Sequence, residues 1–277
     1  MVASVPELLT VLDLERIDDD LLRGHAPSTT LQRVFGGQVL AQALVAGART
    51  VPEDRAPHSL HGYFLRPGDP AVPIVYVVER TRDGGSFTTR RVVARQHGQP
   101  IFHMTTSFQV SEPGFEHQDA LPDVPSPEGL ETLADRISRS GREVSPDEWG
   151  VLDVRYAVEE RDRFAVWLRT VDALPDDPLV HAAALAYASD LTLLGTALRP
   201  HDVGFEHPDL ITASIDHAMW FHRPVRTDAW LLYDQDTPSA SGGRGLARGR
   251  IFDRDGALVA TTVQEGLMRL RRPDPAS

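Results

Sequence analysis

A chain that repeats itself at long range can fold in few ways, and this one does so at an offset of about 157 residues. Phe64-Leu65-Arg66-Pro67 returns as Phe221-His222-Arg223-Pro224, and the runs that follow each copy answer one another in order. Val72–Thr81 is matched by Ala229–Asp236, Ser86–Gln96 by Ser241–Phe252, and Pro100–Val110 by Leu258–Gln264, with turn glycines at Gly98 and Gly256. Elements returning in one order mean two copies of one unit.

The unit is α+β. Gly36–Thr50 is small and apolar, opened by two glycines and closed before Pro52, and so predicts a closely packed helix. His58–Pro67, Val72–Thr81, Ser86–Gln96 and Pro100–Val110 read as strands, rich in β-branched residues and separated by Pro-Gly-Asp, Asp-Gly-Gly and His-Gly-Gln turns. One helix followed by four strands implies an antiparallel sheet wrapped around that helix. In the second copy two alternating strands, Val151–Val158 and Arg163–Thr170, precede a helix over His181–Leu198, and Ala213–Pro224 begins the returning strands. Between the copies, Glu112 to Gly150 is polar, acidic and interrupted by Pro113, Pro122, Pro125, Pro127 and Pro146. It reads as a linker with one short helix around Leu130 to Ser138, dividing the chain into 1–111, 112–150 and 151–277.

Composition removes several classes of chemistry. The chain has no Cys and no Lys, which excludes thiolate nucleophiles, disulfides and Schiff bases. A net charge of −12 argues against nucleic acid as a partner. No HExxH pair, Walker loop or GxGxxG appears, so neither a metal nor a nucleotide cofactor is expected. With no secretory signal and no apolar run of membrane length, a cytoplasmic location with no membrane partner is the expectation.

One carboxylate stands out. Asp190 falls in the middle of the apolar segment His181–Leu198, and its helical neighbours Ala186, Tyr187, Leu193 and Leu194 cannot neutralise it. The segment alone fits an exposed Asp on a half-buried helix, or a desolvated group held by hydrogen bonds from facing strands. The two copies differ at this place. The second has Asp190, Ser214 opening a strand and Gln264 ending one, whereas the first has Pro57 near the position of Ser214, which points to one working site.

The ordered blocks FGGQVLAQAL, HSLHGYFLRPGDP, RDGGSFTTRRV, PIFHMTTSFQ, YASDL, SIDHAMWFHRP, SASGGRGLARG and VATTVQEGLMR closely resemble the acyl-CoA thioesterase II family, from roughly Leu12 to Arg271. The resemblance implies a double hotdog: an N-terminal hotdog in 1–111, a linker, and a C-terminal hotdog in 151–277 carrying the catalytic residues. It further implies an acyl-CoA substrate, hydrolysed to free fatty acid and coenzyme A without metal or organic cofactor. By motif, the family's catalytic Asp, Thr and Gln fall on Asp190, Ser214 and Gln264, with Ser214 keeping the hydroxyl but losing the methyl of the family Thr.

The chemistry is coherent on its own terms. A thioester carbonyl is reactive enough for positioned water, with Asp190 as general base and Ser214 and Gln264 as orienting groups. Backbone N–H groups of Gly37 and Gln38, at the glycine-rich helix start, are candidate oxyanion donors. Covalent catalysis by Ser214 is disfavoured, because there is no GxSxG elbow and strand alternation sends neighbours such as His217 to the other face. His217, Trp220 and His222 read as packing residues of a buried strand. Among the arginines, some subset of Arg90, Arg91, Arg244, Arg248 and Arg250 is available for the coenzyme A phosphates. A non-catalytic acyl-CoA or lipid-binding double hotdog is the alternative, and a hotdog dehydratase a weaker one for want of a His–acid pair. Fusion of two hotdogs supplies internally the contact that single ones gain by dimerising, so a homo-oligomer is allowed but not required.

Overall fold

The computed structural model describes residues 2–27, 29–140 and 149–271. The strands β3 (Arg55–Phe64), β4 (Ile74–Asp83), β5 (Phe87–Gln96) and β6 (Gln99–Val110) follow helix α2 (Gly36–Ala48), close to the runs expected. In the second copy β7 (Leu152–Glu159) and β8 (Arg163–Thr170) precede helices α4 (Pro178–Ser189) and α5 (Leu193–Leu198). They are followed by β9 (Leu210–Ser214), β10 (Asp216–Phe221), β11 (Leu231–Ser241), β12 (Arg244–Asp253) and β13 (Leu258–Leu270). The N-terminal region, left unassigned above, carries helix α1 (Val5–Leu12) and the short strands β1 (Glu15–Asp18) and β2 (Leu21–Gly24). Ser4 caps α1 by accepting the Glu7 N–H, with Pro6 in the first turn where a missing N–H costs nothing.

All the strands form one antiparallel sheet in the order β1-β2-β4-β5-β6-β3-β10-β13-β12-β11-β8-β7, with β9 also paired to β13. Outward from the β3–β10 seam, one half runs β3, β6, β5, β4, β2, β1 and the other β10, β13, β12, β11, β8, β7. Every strand of one copy has its counterpart in the same place in the other, so the repeat extends to β1–β2 and β7–β8, beyond the blocks legible in sequence. At the seam Leu60 faces Met219 and Gly62 faces His217. Each half thereby closes the sheet edge that the other would expose. This is the double hotdog: two helices wrapped by one continuous sheet.

Helices α2 and α4 are buried nearly all round, as helices with no polar face must be. The helical run Pro178–His201 is long and apolar enough to cross a membrane, yet most of it is buried inside the fold as a core element. The start of α2 lies against the end of α4, where a Cβ on Gly37 would come within 2.3 Å of the Tyr187 carbonyl oxygen. Gly37→Ala must therefore push two backbones apart. We expect a loss of about 1–3 kcal/mol, the usual cost of overpacking, read as a lower Tm in calorimetry.

Two expectations are corrected. The helix expected over His181–Leu198 is not continuous: α4 ends at Ser189, and Asp190 lies in the joint before α5 rather than in mid-helix. The Ser189 hydroxyl bonds back to the Ala186 carbonyl and the Leu191 N–H to that of Ala188, tightening the last turn. The strand expected over Ala213–Pro224 is also divided, at Ile215. Ser214 faces Gly266 and Ala218 faces Val263, so β9–β10 carries one more residue than β13 across the same span, a β-bulge. The first copy has the same irregularity, between Pro57 facing Phe108 and Ser59 facing Ser107.

The linker is a strap rather than a spacer. Gln118 donates to the Gly256 carbonyl and accepts the Leu258 N–H, while the Trp167 indole donates to the Pro125 carbonyl. The segment thus lies along the second half of the sheet, where Val124 and Leu130 cover a cluster of Trp167, Leu232 and Phe252. Its helix α3 (Leu133–Ser140) starts at a reciprocal cap between Thr132 and Asp135, slightly later than expected. Residues 141–148 and 272–277 lie outside the described residues.

Candidate active site

The joint at Asp190 places a carboxylate between two helix ends. The C-terminus of its own helix α4 carries partial negative charge and disfavours it, while the N-terminus of α2 presents free N–H groups. Phe35 gives α2 no side-chain cap. Asp190 takes that role from the other copy, receiving the Gly37 N–H, with its Oδ2 only 2.5 Å from where a Gly36 Cβ would stand. Glycine at position 36 is thus the space the carboxylate occupies.

The strands supply the remaining partners. The Gln264 side chain on β13 is fully buried, and its Nε2 donates both to Asp190 Oδ1 at 2.7 Å and to Ser214 Oγ at 3.1 Å. Asp190 when ionised only accepts, which fixes the amide with nitrogen toward it. With Oγ accepting, the Ser214 hydroxyl proton is free to point elsewhere. Asp190, Ser214 and Gly36 line a cleft of about 410 Å³, whose apolar wall includes Phe35, Val39 and Phe64. Gln264 stands behind them, away from the cleft.

Burial dominates the electrostatics. The Asp190 side chain is 5% exposed, and desolvation raises its pKa to about 6 against the opposing bonds from Gln264 and Gly37. His217, fully buried on β10, is pushed down to about 4 by the same cause and is therefore neutral. Its Nδ1 lies 3.7 Å from Asp190 Oδ1, and its Nε2 is 3.0 Å from Ser189 Oγ. Strand alternation would have placed His217 on the face opposite Ser214; the bulge at Ile215 turns both toward Asp190. Asp216 instead accepts the Glu265 N–H and pairs with His61 on the outer face. No hydrogen bond joins Ser214 to His217 among the described residues, so SIDH makes no Ser–His–Asp triad.

The backbone donors at the helix start are differently engaged from the expectation. The Gly37 N–H is turned to Asp190 and the Gln38 N–H to the Phe35 carbonyl. An uncapped helix start attracts whatever acceptor is nearest, and here that is Asp190. The Gly36 N–H has no acceptor among the described residues.

The arginines singled out from sequence do not reach the cleft. Arg91, Arg244 and Arg248 pair with Glu79, Glu265 and Asp236, and Arg250 with Asp119 and Asp234. Arg90 is buried against Asp83 and Thr50. It faces Thr106 as Ala247 faces Gln264, so the first copy fills with Arg90 and Thr106 the place that the second gives to its buried amide. The cleft is lined instead by Arg33, which the sequence patterns did not mark, and Arg66, which they marked only as part of the repeat. Arg66 donates to the Pro100 carbonyl, and Arg33 has no partner among the described residues.

Comparison with known proteins agrees with this architecture. The acyl-CoA thioesterase family profile matches residues 153–267, and that of the acyl-CoA thioesterase N-terminal domain matches residues 25–109. Human acyl-coenzyme A thioesterase 8 is 42% identical over 95% of this chain and 88% of its own. Acyl-CoA thioesterase 2 of Haemophilus influenzae is 41% identical over 95% of this chain and 96% of its own. The crystal structure of acyl-CoA thioesterase II TesB2 from Mycobacterium marinum superposes with a TM-score of 0.83 at 46% identity, covering 98% of this chain and 99% of that one. On the strength of two family profiles in tandem and relatives aligned almost end to end, the chain belongs to the acyl-CoA thioesterase family.

Proposed function

We propose that the protein hydrolyses acyl-CoA by direct attack of water, using Asp190 as general base. The observation that carries this reading is the fork of Gln264 Nε2 onto Asp190 and Ser214, which holds a desolvated carboxylate and a free hydroxyl side by side at one cleft wall. Asp190 takes a proton from the water as its oxygen bonds to the thioester carbon. The carbonyl oxygen gains negative charge, for which the Ser214 O–H and the Gly36 N–H are the available donors. When the tetrahedral species collapses, the carbon–sulfur bond breaks and the thiolate recovers the proton from Asp190, leaving a carboxylic acid and the free thiol. In this reading the two hotdogs, 1–111 and 151–277, share one site: Asp190, Ser214 and Gln264 come from the second and the helix start from the first.

A base of this kind sets the pH dependence. Asp190 is competent only when ionised, so kcat/KM for thiol release should fall as pH drops through about 6 and level off above it. Thiol release over a pH series checks this. Tight acyl-CoA binding with no thiol release at any pH would favour the non-catalytic alternative.

The cleft also suggests how coenzyme A is held. Arg33, exposed at the cleft and without a partner among the described residues, is the cation we assign to its phosphates, in a protein whose net charge of −12 would otherwise repel them. Arg33→Ala should raise KM roughly 3- to 10-fold with little change in kcat, and weaken the salt dependence of binding. Steady-state kinetics at two ionic strengths separates this from a general loss of fold.

A further inference from the structure

We infer that His217 is a positioning residue of the reaction, locked in one tautomer so that an unprotonated ring nitrogen faces Asp190 and makes that carboxylate a stronger base. This rests on the thioester-hydrolase reading for its kinetic consequence, though its structural premise is testable without substrate.

The argument begins at Ser189. A serine hydroxyl has one proton, and that of Ser189 goes to the Ala186 carbonyl at 2.9 Å. Toward His217 Nε2, 3.0 Å away, Ser189 Oγ can therefore only accept, which puts the ring proton on Nε2. A neutral imidazole carries one proton, so Nδ1 bears a lone pair. Nδ1 is buried, has no hydrogen-bond partner, and lies 3.7 Å from Asp190 Oδ1. Two acceptors face each other across that gap. At that distance no hydrogen bond joins them, and the Nδ1 lone pair opposes the negative charge of ionised Asp190, an opposition that protonation of the carboxylate relieves.

Desolvated groups that oppose each other in this way shift the balance of the proton-transfer step. With the Nδ1 lone pair set against it, Asp190 takes up the proton of the attacking water more readily and keeps it until the thiolate takes it. Were the tautomer reversed, the positive end of Nδ1–H would face the carboxylate and weaken the base. Ser189 is what forbids this. Its place is fixed in turn by its carbonyl, which accepts the Tyr233 hydroxyl, itself joined to Thr262. The other titratable side chains near the imidazole are Asp216, on the same strand, and His61 across the seam, which are hydrogen-bonded to each other on the outer face. Tyr233 is held protonated by burial. None of them supplies a proton to Nδ1.

Two experiments test the inference. Nitrogen-15 NMR of histidine-labelled protein at pH 7, with the His217 signals identified by their loss in His217→Gln, should show the Nε2–H tautomer; an Nδ1–H tautomer or a charged ring overturns it without reference to activity. His217→Gln keeps a donor toward Ser189 and removes the acceptor at Nδ1. We expect kcat to fall about 10-fold, KM to change less than about 2-fold, and the acid limb of the pH profile to move down by about half a unit or more. Ser189→Ala, which keeps His217 but releases its tautomer, should move the limb in the same direction, and the double variant no further than either alone. An acid limb that stays in place or moves up in His217→Gln overturns the inference. A wild-type protein without thiol release would instead count against the hydrolase reading, leaving the tautomer result standing.

Discussion

Asp190→Asn should abolish most hydrolysis while making the protein more stable. Removing a general base costs about 10²- to 10⁴-fold, and the amide cannot accept the proton of water, so kcat should fall by that factor with KM little changed. Asn keeps an oxygen for the bond from Gln264 at nearly the same size and shape, so the cleft should hold its shape. The stability gain follows from burial. Because the folded-state pKa of Asp190 is raised to about 6 from an ordinary 3.8, the native state binds more protons than the unfolded chain between those values, and stability falls as pH rises through that window. Above pH 6 the full cost of holding the charge is present, roughly 3 kcal/mol for a shift of this size. Asn carries no such cost. Calorimetry at pH 7 should show a Tm higher by about 5 °C, with the advantage vanishing near pH 4. A variant both inactive and less stable at pH 7 would mean that the side chain was needed for packing rather than chemistry.

The sheet was more legible than the joints that build the site. The four returning strands and their turns could be read because β-branched runs bounded by Gly and Pro carry local signals, and the long repeat confirmed them pairwise. The break at Asp190 could not, since HAAALAYASDLTLLGTAL has no Gly or Pro before Gly195 and its helical period continues through the break. What ends α4 is tertiary: Asp190 is drawn to the uncapped start of α2, some 150 residues earlier. The bulge at Ile215 is hidden for a similar reason. No glycine marks it, and it depends on the register with β13. Reading Ala213–Pro224 as a regular strand therefore assigned His217 to the wrong face. Arg33 lies in an irregular stretch with no pattern to mark it, and only the folded chain brings it to the cleft.

Gln264→Glu tests whether the buried amide holds Asp190 or only fills space. The substitution is close to isosteric, so a residue valued for packing alone would tolerate it. If the fork matters, the change is severe. An amide with two N–H donors becomes a carboxyl group with at most one, so Asp190 is held only by a shared proton, and Ser214 keeps its contact only by turning its own O–H to the new carboxyl group and away from the substrate. At 2.7 Å, moreover, two carboxylates cannot both ionise in a dry site, and the pair should bind one proton up to a pH well above 6. That proton satisfies the contact but occupies the base. We therefore expect a loss of about 10²-fold or more in kcat at pH 7, with the acid limb of the rate profile displaced upward. The upward displacement is diagnostic, because loss of packing would lower the rate at every pH without moving the limb. It also runs opposite to the change expected for His217→Gln. The two neighbours of Asp190 act on it in opposite senses: Gln264 donates to the ionised form and lowers its pKa, and His217, as inferred, sets a lone pair against the ionised form and raises it.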